Sequence, residues 1–248
     1  VKEDKEEAVK LYRYAAERGF AESQHHLGYC YSKGLGVEKD EKEAFKWEKM
    51  AADQGNMIAC NNIGHFYEYG IGVDKDNKKA LTWYLKASEM GYSDADANIG
   101  DLYYGFNYGI DHSYEEAIKW YEKAANQNNA RGLHMLGYCY ENGYGVTSDY
   151  KKAYELYTEA AKQDHAPSYN NLGLFYEKGK VVKKDKKKAF EYYMRAAELG
   201  SDYGIANVGK CYDHGIGVKR NKQEAIKWYQ KAAEQGNFYA KNRLKELK

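Results

Sequence analysis

Apolar and small residues recur along this chain with two interlocked periods. Over a dozen residues they fall at spacings of three and four, the pattern of amphipathic helices. Over the whole chain the same pattern returns every 36 or 37 residues. The pair Ala-Ala, or a close variant, marks the longer period at Ala15-Ala16, Ala51-Ala52, Ala87-Ser88, Ala124-Ala125, Ala160-Ala161, Ala196-Ala197 and Ala232-Ala233. A fixed period of this length predicts stacked copies of one small unit. Each copy buries its core only against its neighbours, so such arrays offer extended surfaces rather than enclosed active sites.

Each unit reads as two helices. The second, helix B, is predicted to begin at a capping residue four before a fixed alanine: Asp4, Asp40, Asp76, Ser113, Asp149, Asp185 and Asn221. All seven are types whose side chains accept from the open N–H groups of a first turn. Ser113 with Glu116 adds the spacing of a capping box. Aromatics follow the alanine at +3 and +4, as in Trp83-Tyr84 and Trp228-Tyr229, and then the small pair, all on one stripe. Helix B is predicted to stop at Gly19, Gly55, Gly91, Asn128, Asp164, Gly200 or Gly236, all but Asp164 being residues that take a left-handed cap well. Helix A carries an apolar-Gly-x-x-aromatic core, from Leu27-Gly28…Tyr31 to Val208-Gly209…Tyr212. Glycine inside a helix costs about 1 kcal/mol, so six copies at one register imply close approach of the partner helix. A Gly-x-Gly-Val connection leads to the next helix B.

The assembled pattern, Ala-x-x-x-Leu-Gly-x-x-Tyr-x-x-Gly-x-Gly-Val-x-x-Asp-x-x-Lys-Ala-x-x-Trp-Tyr-x-Lys-Ala-Ala-x-x-Gly, resembles the Sel1-like repeat, a longer-looped relative of the tetratricopeptide repeat. The resemblance covers nearly the whole chain. It implies an all-α fold, a right-handed α/α superhelical solenoid of about six to seven Sel1-like (TPR-like) helix-pair repeats. Residues 1–248 then form a single solenoid with a partial first repeat (1–19, helix B only). Full repeats follow at 20–55, 56–91, 92–128, 129–164, 165–200 and 201–236, with a closing helix A at 237–248. Val1 already lies inside a helical pattern, so further sequence is expected before it. Four departures stand out: Glu48 for the second aromatic, Val181 for the second loop glycine, Lys245 for the last helix-A glycine, and the altered loop Gly105-Phe106-Asn107-Tyr108-Gly109.

With the core apolar residue of helix A numbered 7, positions 3, 4, 7, 8, 10 and 11 share one half of the helix, and the rest are predicted to face outward. In the related tetratricopeptide solenoids helix A lines the concave groove, and the resemblance implies the same here. Position 6 supplies an asparagine ladder, Asn62, Asn98, Asn171 and Asn207. Position 5 adds His25, Asn61, His134 and Asn170, and position 9 adds Tyr29, His65, Asp101 and Tyr138. Asparagine donates and accepts, so such a row suits an extended peptide backbone; the alternative is that these amides satisfy neighbouring groups of the array. A second candidate is the basic patch Lys178, Lys180, Lys183, Lys184, Lys186, Lys187 and Lys188 around Asp185. It fits an acidic partner or anionic lipid, or else is an ordinary solvated loop.

Composition narrows the function classes. Lys+Arg 38 against Asp+Glu 37 leaves a net charge of +1, so no global field favours nucleic acid or an anionic membrane. No apolar run reaches the length of a membrane span. Cys30, Cys139 and Cys211 share a slot that Phe66, Leu102 and Phe175 fill elsewhere, so they read as packing residues, and Cys60 has no partner in its repeat. Without a disulfide framework a reducing compartment, the cytoplasm, is expected. No His-Glu-x-x-His, Cys-x-x-Cys or Gly-x-Ser-x-Gly motif occurs, and the seven histidines are scattered. No cofactor, metal or catalytic residue is expected. The resulting expectation is a non-enzymatic scaffold or adaptor that binds a peptide or protein along the concave helix-A surface. A monomer is favoured, with the oligomeric state left open. One alternative is a regulatory segment of a larger signalling enzyme. A remoter one follows from resemblance to cysteine-rich Sel1-like proteins linked to β-lactam hydrolysis, whose cysteine pair in each repeat is missing here.

Overall fold

The computed structural model describes residues 2–106 and 109–247. Among these residues there are fourteen helices and no strand, grouped into two compact units, Val1–Gln127 and Asn128–Lys248. The first unit holds α1 (Lys2–Ala16), α2 (Ala21–Lys33), α3 (Glu41–Asp53), α4 (Met57–Tyr69), α5 (Asn77–Glu89), α6 (Ser93–Tyr104) and α7 (Tyr114–Asn126). The second holds α8 (Ala130–Asn142), α9 (Tyr150–Ala161), α10 (Ala166–Lys178), α11 (Lys186–Glu198), α12 (Asp202–His214), α13 (Lys222–Glu234) and α14 (Phe238–Leu247). Even-numbered helices are the A type, odd-numbered ones the B type. Val1 and the centre of the altered loop, Asn107 and Tyr108, lie outside the described residues.

Local chemistry starts and stops these helices. Asp40, Asp76, Ser113, Asp149, Asp185 and Asn221 are N-caps, each accepting from a backbone N–H two or three residues on. Asp4 is not one. Asp4 lies inside α1, which already includes Lys2 and Glu3. The capping box at Ser113 is half formed. Its hydroxyl accepts from the Glu116 N–H at 3.1 Å, but its own N–H is taken by the Tyr103 carbonyl, and Glu116 pairs with Lys119 instead. All seven predicted stops have positive φ, including Asn128 (57°) and Asp164 (56°). Asp164 is held there by Arg195, whose Nη2 donates to its carboxylate at 2.8 Å.

The core of each unit is a row of tyrosines. Tyr84, Tyr121, Tyr157, Tyr193 and Tyr229, the second aromatics of helix B, are completely buried. Each ring lies over the helix-A glycine of its own pair: Gly64, Gly100, Gly137, Gly173 and Gly209. A methyl group at Gly173 would stand 2.5 Å from Tyr193 Cε1. The close approach that excludes side chains here is therefore that of an aromatic ring. The hydroxyls donate to carboxylates of the same helix A: Tyr84 to Glu68 (2.6 Å), Tyr121 to Asp101 (2.7 Å), Tyr157 to Glu141 (3.0 Å) and Tyr193 to Glu177 (2.6 Å). Burial drives the phenols of Tyr157 and Tyr193 far above their usual range. Over Gly28 the ring is missing, and Glu48 occupies its place. All four cysteines are buried and unpaired, and burial pushes the thiols of Cys139 and Cys211 up to about 12.

Consecutive repeats are joined through main chain. Gly36, Gly72 and Gly217, the second loop glycines, lie so close to the carbonyls of Lys5, Glu41 and Lys186 that no side chain fits. At the equivalent position Val181 adopts φ 63°, and the N–H of Val182 donates to the Lys180 carbonyl at 2.6 Å, closing a three-residue turn. A β-branched residue in the left-handed region is strained.

Candidate partner-binding grooves

The helix-A face predicted to point outward splits in two. Side chains at position 9 are open or half-open, Tyr29 and His65 being exposed. Position 5 is instead turned into the seam between repeats: His25 and Asn170 are buried, as are Ala97 and Ala206. The outward placement of His25 and Asn170 is therefore overturned. A helix in a stack is covered by its own partner on one side and by the next repeat on another: Asn61 and Asn170 meet the next repeat through Asn98 and Asn207, whereas His25 meets Glu48 of its own helix B.

The asparagines lace this seam. Asn98 Nδ2 donates to Asn61 Oδ1 at 2.8 Å, from α6 to α4, and Asn207 Nδ2 donates to Asn170 Oδ1 at 2.7 Å, from α12 to α10. Asn62 donates to Glu48 at 2.9 Å. Asn171 accepts from Asn170 at 3.4 Å and reaches the Tyr157 hydroxyl. Each amide of the ladder thus has a partner inside the array.

In the first unit, His25 Nδ1–H donates to the Glu48 carboxylate at 3.0 Å, with both groups buried. That hydrogen bond raises the His25 pKa above its usual range, although burial acts in the opposite direction. Glu48 also reaches a cavity of about 360 Å³ where Tyr29, Asn61, Asn62 and His65 come together. Asn98 and Asp101 stand outside it, Asp101 being committed to Tyr121.

The second unit carries a larger groove, about 900 Å³, on the row α8, α10 and α12. It brings together His134, Tyr138, Asn170 and Asn171 with Leu174 and Tyr203. Its walls are aromatic and aliphatic, its floor is amide, and its one charged lining residue, Asp202, accepts from Asn237 at 3.0 Å. Beneath it, the Ser168 hydroxyl lies 3.0 Å from His134 Nδ1 and 2.9 Å from His165 Nδ1. One hydroxyl proton serves one ring, so Ser168 donates to one imidazole and accepts from the other. Burial lowers His134 to about 3 and His165 to about 4, so both rings are neutral at physiological pH. Sequence reasoning missed Ser168 and His165, which no spacing flags. Leu174 and Tyr203 occupy positions 9 and 2 of the outward set and were legible there.

Of the basic patch, Lys180 lies 4.0 Å over the Tyr150 ring and 3.7 Å from Glu141, and Lys188 lies 4.4 Å over Tyr176. Lys178, Lys183, Lys184, Lys186 and Lys187 are exposed. Among the described residues no three His, Cys, Asp or Glu side chains gather as a metal site, and no helix is long and apolar enough to cross a membrane.

The Sel1 repeat profile matches residues 1–20, 21–56, 58–92, 93–129, 130–165, 166–201 and 203–237. Comparison with curated proteins gives no significant match. Among solved structures, a Sel1 repeat protein from Oxalobacter formigenes is 35% identical, covers 88% of this chain and 89% of its own, and superposes with TM-score 0.80. A protective antigen of uropathogenic Escherichia coli is 34% identical over 95% of this chain, with TM-score 0.70, and this chain spans 50% of its length. An immunity protein of Pseudomonas aeruginosa, 20% identical over 86% of this chain and 81% of its own, shares the fold with TM-score 0.63. Seven repeat matches along nearly the full length, carried on helix pairs of the same architecture, make this chain a member of the Sel1 repeat family.

Proposed function

We propose that this chain is a non-enzymatic scaffold that holds an extended segment of a protein partner in the groove of its second unit. Sel1 repeat proteins are generally protein-interaction scaffolds. The observation that carries the reading is the groove itself, where Tyr138, Leu174 and Tyr203 offer apolar contact around the amides of Asn170 and Asn171. Tyrosines bring large contact area and a polar tip, the features of binding hot spots. Because the asparagines already bond within the array, they contribute only their remaining capacity, at about 0.5–1.5 kcal/mol per hydrogen bond. The aromatic anchors carry the larger share, and micromolar affinity, about −8 kcal/mol, is expected.

Selection of displayed random peptides on the native chain tests this. The selected peptides should carry apolar or aromatic anchors and lose at least about tenfold in affinity on Tyr138→Ala/Tyr203→Ala. Peptides that bind native and variant chains equally would refute the groove as the binding surface.

A further inference from the structure

Three turn segments of the second unit, 143–152, 178–188 and 215–222, form one edge. Gly217 packs on the Lys186 carbonyl, which sets the last of them against the start of α11. Lys180 lies over the ring of Tyr150, which joins the middle segment to the start of α9. The first segment contributes Lys151 and Lys152, the second its seven lysines, and the third Lys219, Arg220 and Lys222. Within the three segments the carboxylates are Asp149 and Asp185, both turned onto backbone N–H groups as helix caps, and from outside them Glu141 lies 3.7 Å from Lys180.

The fold does not ask for this charge. An equivalent turn of the first unit, with the same aspartate cap and left-handed helix stop, carries Glu38, Glu41 and Glu43 beside Lys39 and Lys42, and the differently shaped turn before α7 carries Asp111, Glu115 and Glu116. Lysine in the first turn of a helix opposes the helix dipole, so α11, which begins Lys186-Lys187-Lys188, gives up some stability. Three of the cations rest on tyrosine rings: Lys152 on Tyr140, Lys180 on Tyr150 and Lys188 on Tyr176. Lys151, Lys178, Lys183, Lys184, Lys186 and Lys187 are exposed, and among the described residues none makes an ion pair or a side-chain hydrogen bond.

We infer that this edge is a docking surface for an acidic polypeptide segment. The surface is separate from the groove and does not depend on its role. Long, mobile lysine stems spread along an edge without a cavity match carboxylates spaced along a chain better than one compact anion. A bilayer fits less well, because the edge offers it little to insert: Val182, Ile216 and Val218 pack on the core, and of the two exposed large apolar side chains, Val181 and Tyr150, the second lies under Lys180.

Fluorescence anisotropy with a labelled polyglutamate peptide tests the inference, using native chain, Lys183→Glu/Lys184→Glu/Lys186→Glu/Lys187→Glu, and the groove variant Tyr138→Ala/Tyr203→Ala. Native chain and groove variant should bind alike. The charge-reversed chain should bind at least about tenfold more weakly, while melting no lower than native, since glutamate suits a helix start. The corresponding four-fold Lys→Gln variant should lose binding in the same direction. Raising salt from about 0.1 M to about 1 M, which shortens the Debye length from about 10 to about 3 Å, should abolish binding. Absent or salt-insensitive binding, or equal binding by the charge-reversed chain, would overturn the proposal. So would co-sedimentation with phosphatidylserine-containing vesicles that the charge reversal abolishes while polyglutamate stays unbound.

Discussion

Alanine at Gly173 should destabilise this protein although the site is helical. Replacing glycine by alanine inside a helix ordinarily gains about 1 kcal/mol. Here the new methyl would stand 2.5 Å from Tyr193 Cε1 and 2.6 Å from Cδ1. The ring is fully buried, and its hydroxyl is tied to Glu177 at 2.6 Å, so it is held at both ends. Overpacking costs about 1–3 kcal/mol, and a ring held at both ends puts Gly173 in the upper part of that range, about 2–3 kcal/mol, which leaves a net loss of about 1–2 kcal/mol after the propensity gain of about 1 kcal/mol. Gly137 provides the internal comparison. Its methyl would lie 3.0 and 3.1 Å from Tyr157 Cε1 and Cδ1, and the hydroxyl of that ring bonds Glu141 at a looser 3.0 Å. The ring can yield there, and gain and loss nearly cancel. For a chain of 248 residues, where 1 kcal/mol moves the midpoint by about 2–4 °C, Gly173→Ala should lower Tm by about 2–8 °C. Gly137→Ala should stay within about 2 °C of native. Thermal unfolding followed by far-ultraviolet circular dichroism reads both. If the two variants shift equally, or if Gly173→Ala raises Tm, the tyrosine ring is not what demands glycine.

Acid should weaken the second unit before the first. His134 and His165 have folded pKa values of about 3 and about 4, below the unfolded value of 6.5, so their contribution is complete above pH 6.5 and is lost as pH falls toward the folded values. Between pH 7 and 5 the loss is about 2 kcal/mol for His134 and less for the half-buried His165. His25 is shifted the other way by Glu48, so its contribution is complete below pH 6.5 and fades as pH rises through its raised value. Urea midpoints at the two pH values should fall with acid for the native chain and fall less for His134→Gln; an equal fall would remove the buried imidazole as the cause. Val181→Gly should raise stability by about 0.5–1 kcal/mol, because relief of the left-handed strain exceeds the entropy cost of glycine. A urea midpoint that stays or drops would show the turn to be unstrained.

How much of this was legible in the sequence follows from the range of each interaction. Caps, stops and period arise within one turn or one repeat, and Asp40, Asp149 and Asn221 could be placed from neighbours alone. Asp164 was marked as a poor stop because its partner Arg195 lies 31 residues away. The helical wheel carries no knowledge of the next repeat, where Asn207 meets Asn170, nor of a carboxylate standing where helix B usually has an aromatic, which draws His25 inward, and so it turned both residues outward. Glu48 was noticed as a break in the pattern. That His25, 23 residues earlier, donates to it required the fold.

The Glu48 site also bears on whether these repeats are interchangeable parts. Most of the joinery is generic: a glycine against a carbonyl, a tyrosine over a glycine. Glu48, however, reaches His25 on α2 and Asn62 on α4 at once, and so acts as a key cut for those two neighbours. A chain rebuilt with its modules shuffled would still carry His25 and Glu48 together, since both lie in 20–55, and the joint would then ask only for an asparagine at position 6 of the module that follows. Asn98, Asn171 and Asn207 supply that residue and Met135 does not, so this joint constrains only which module may follow it.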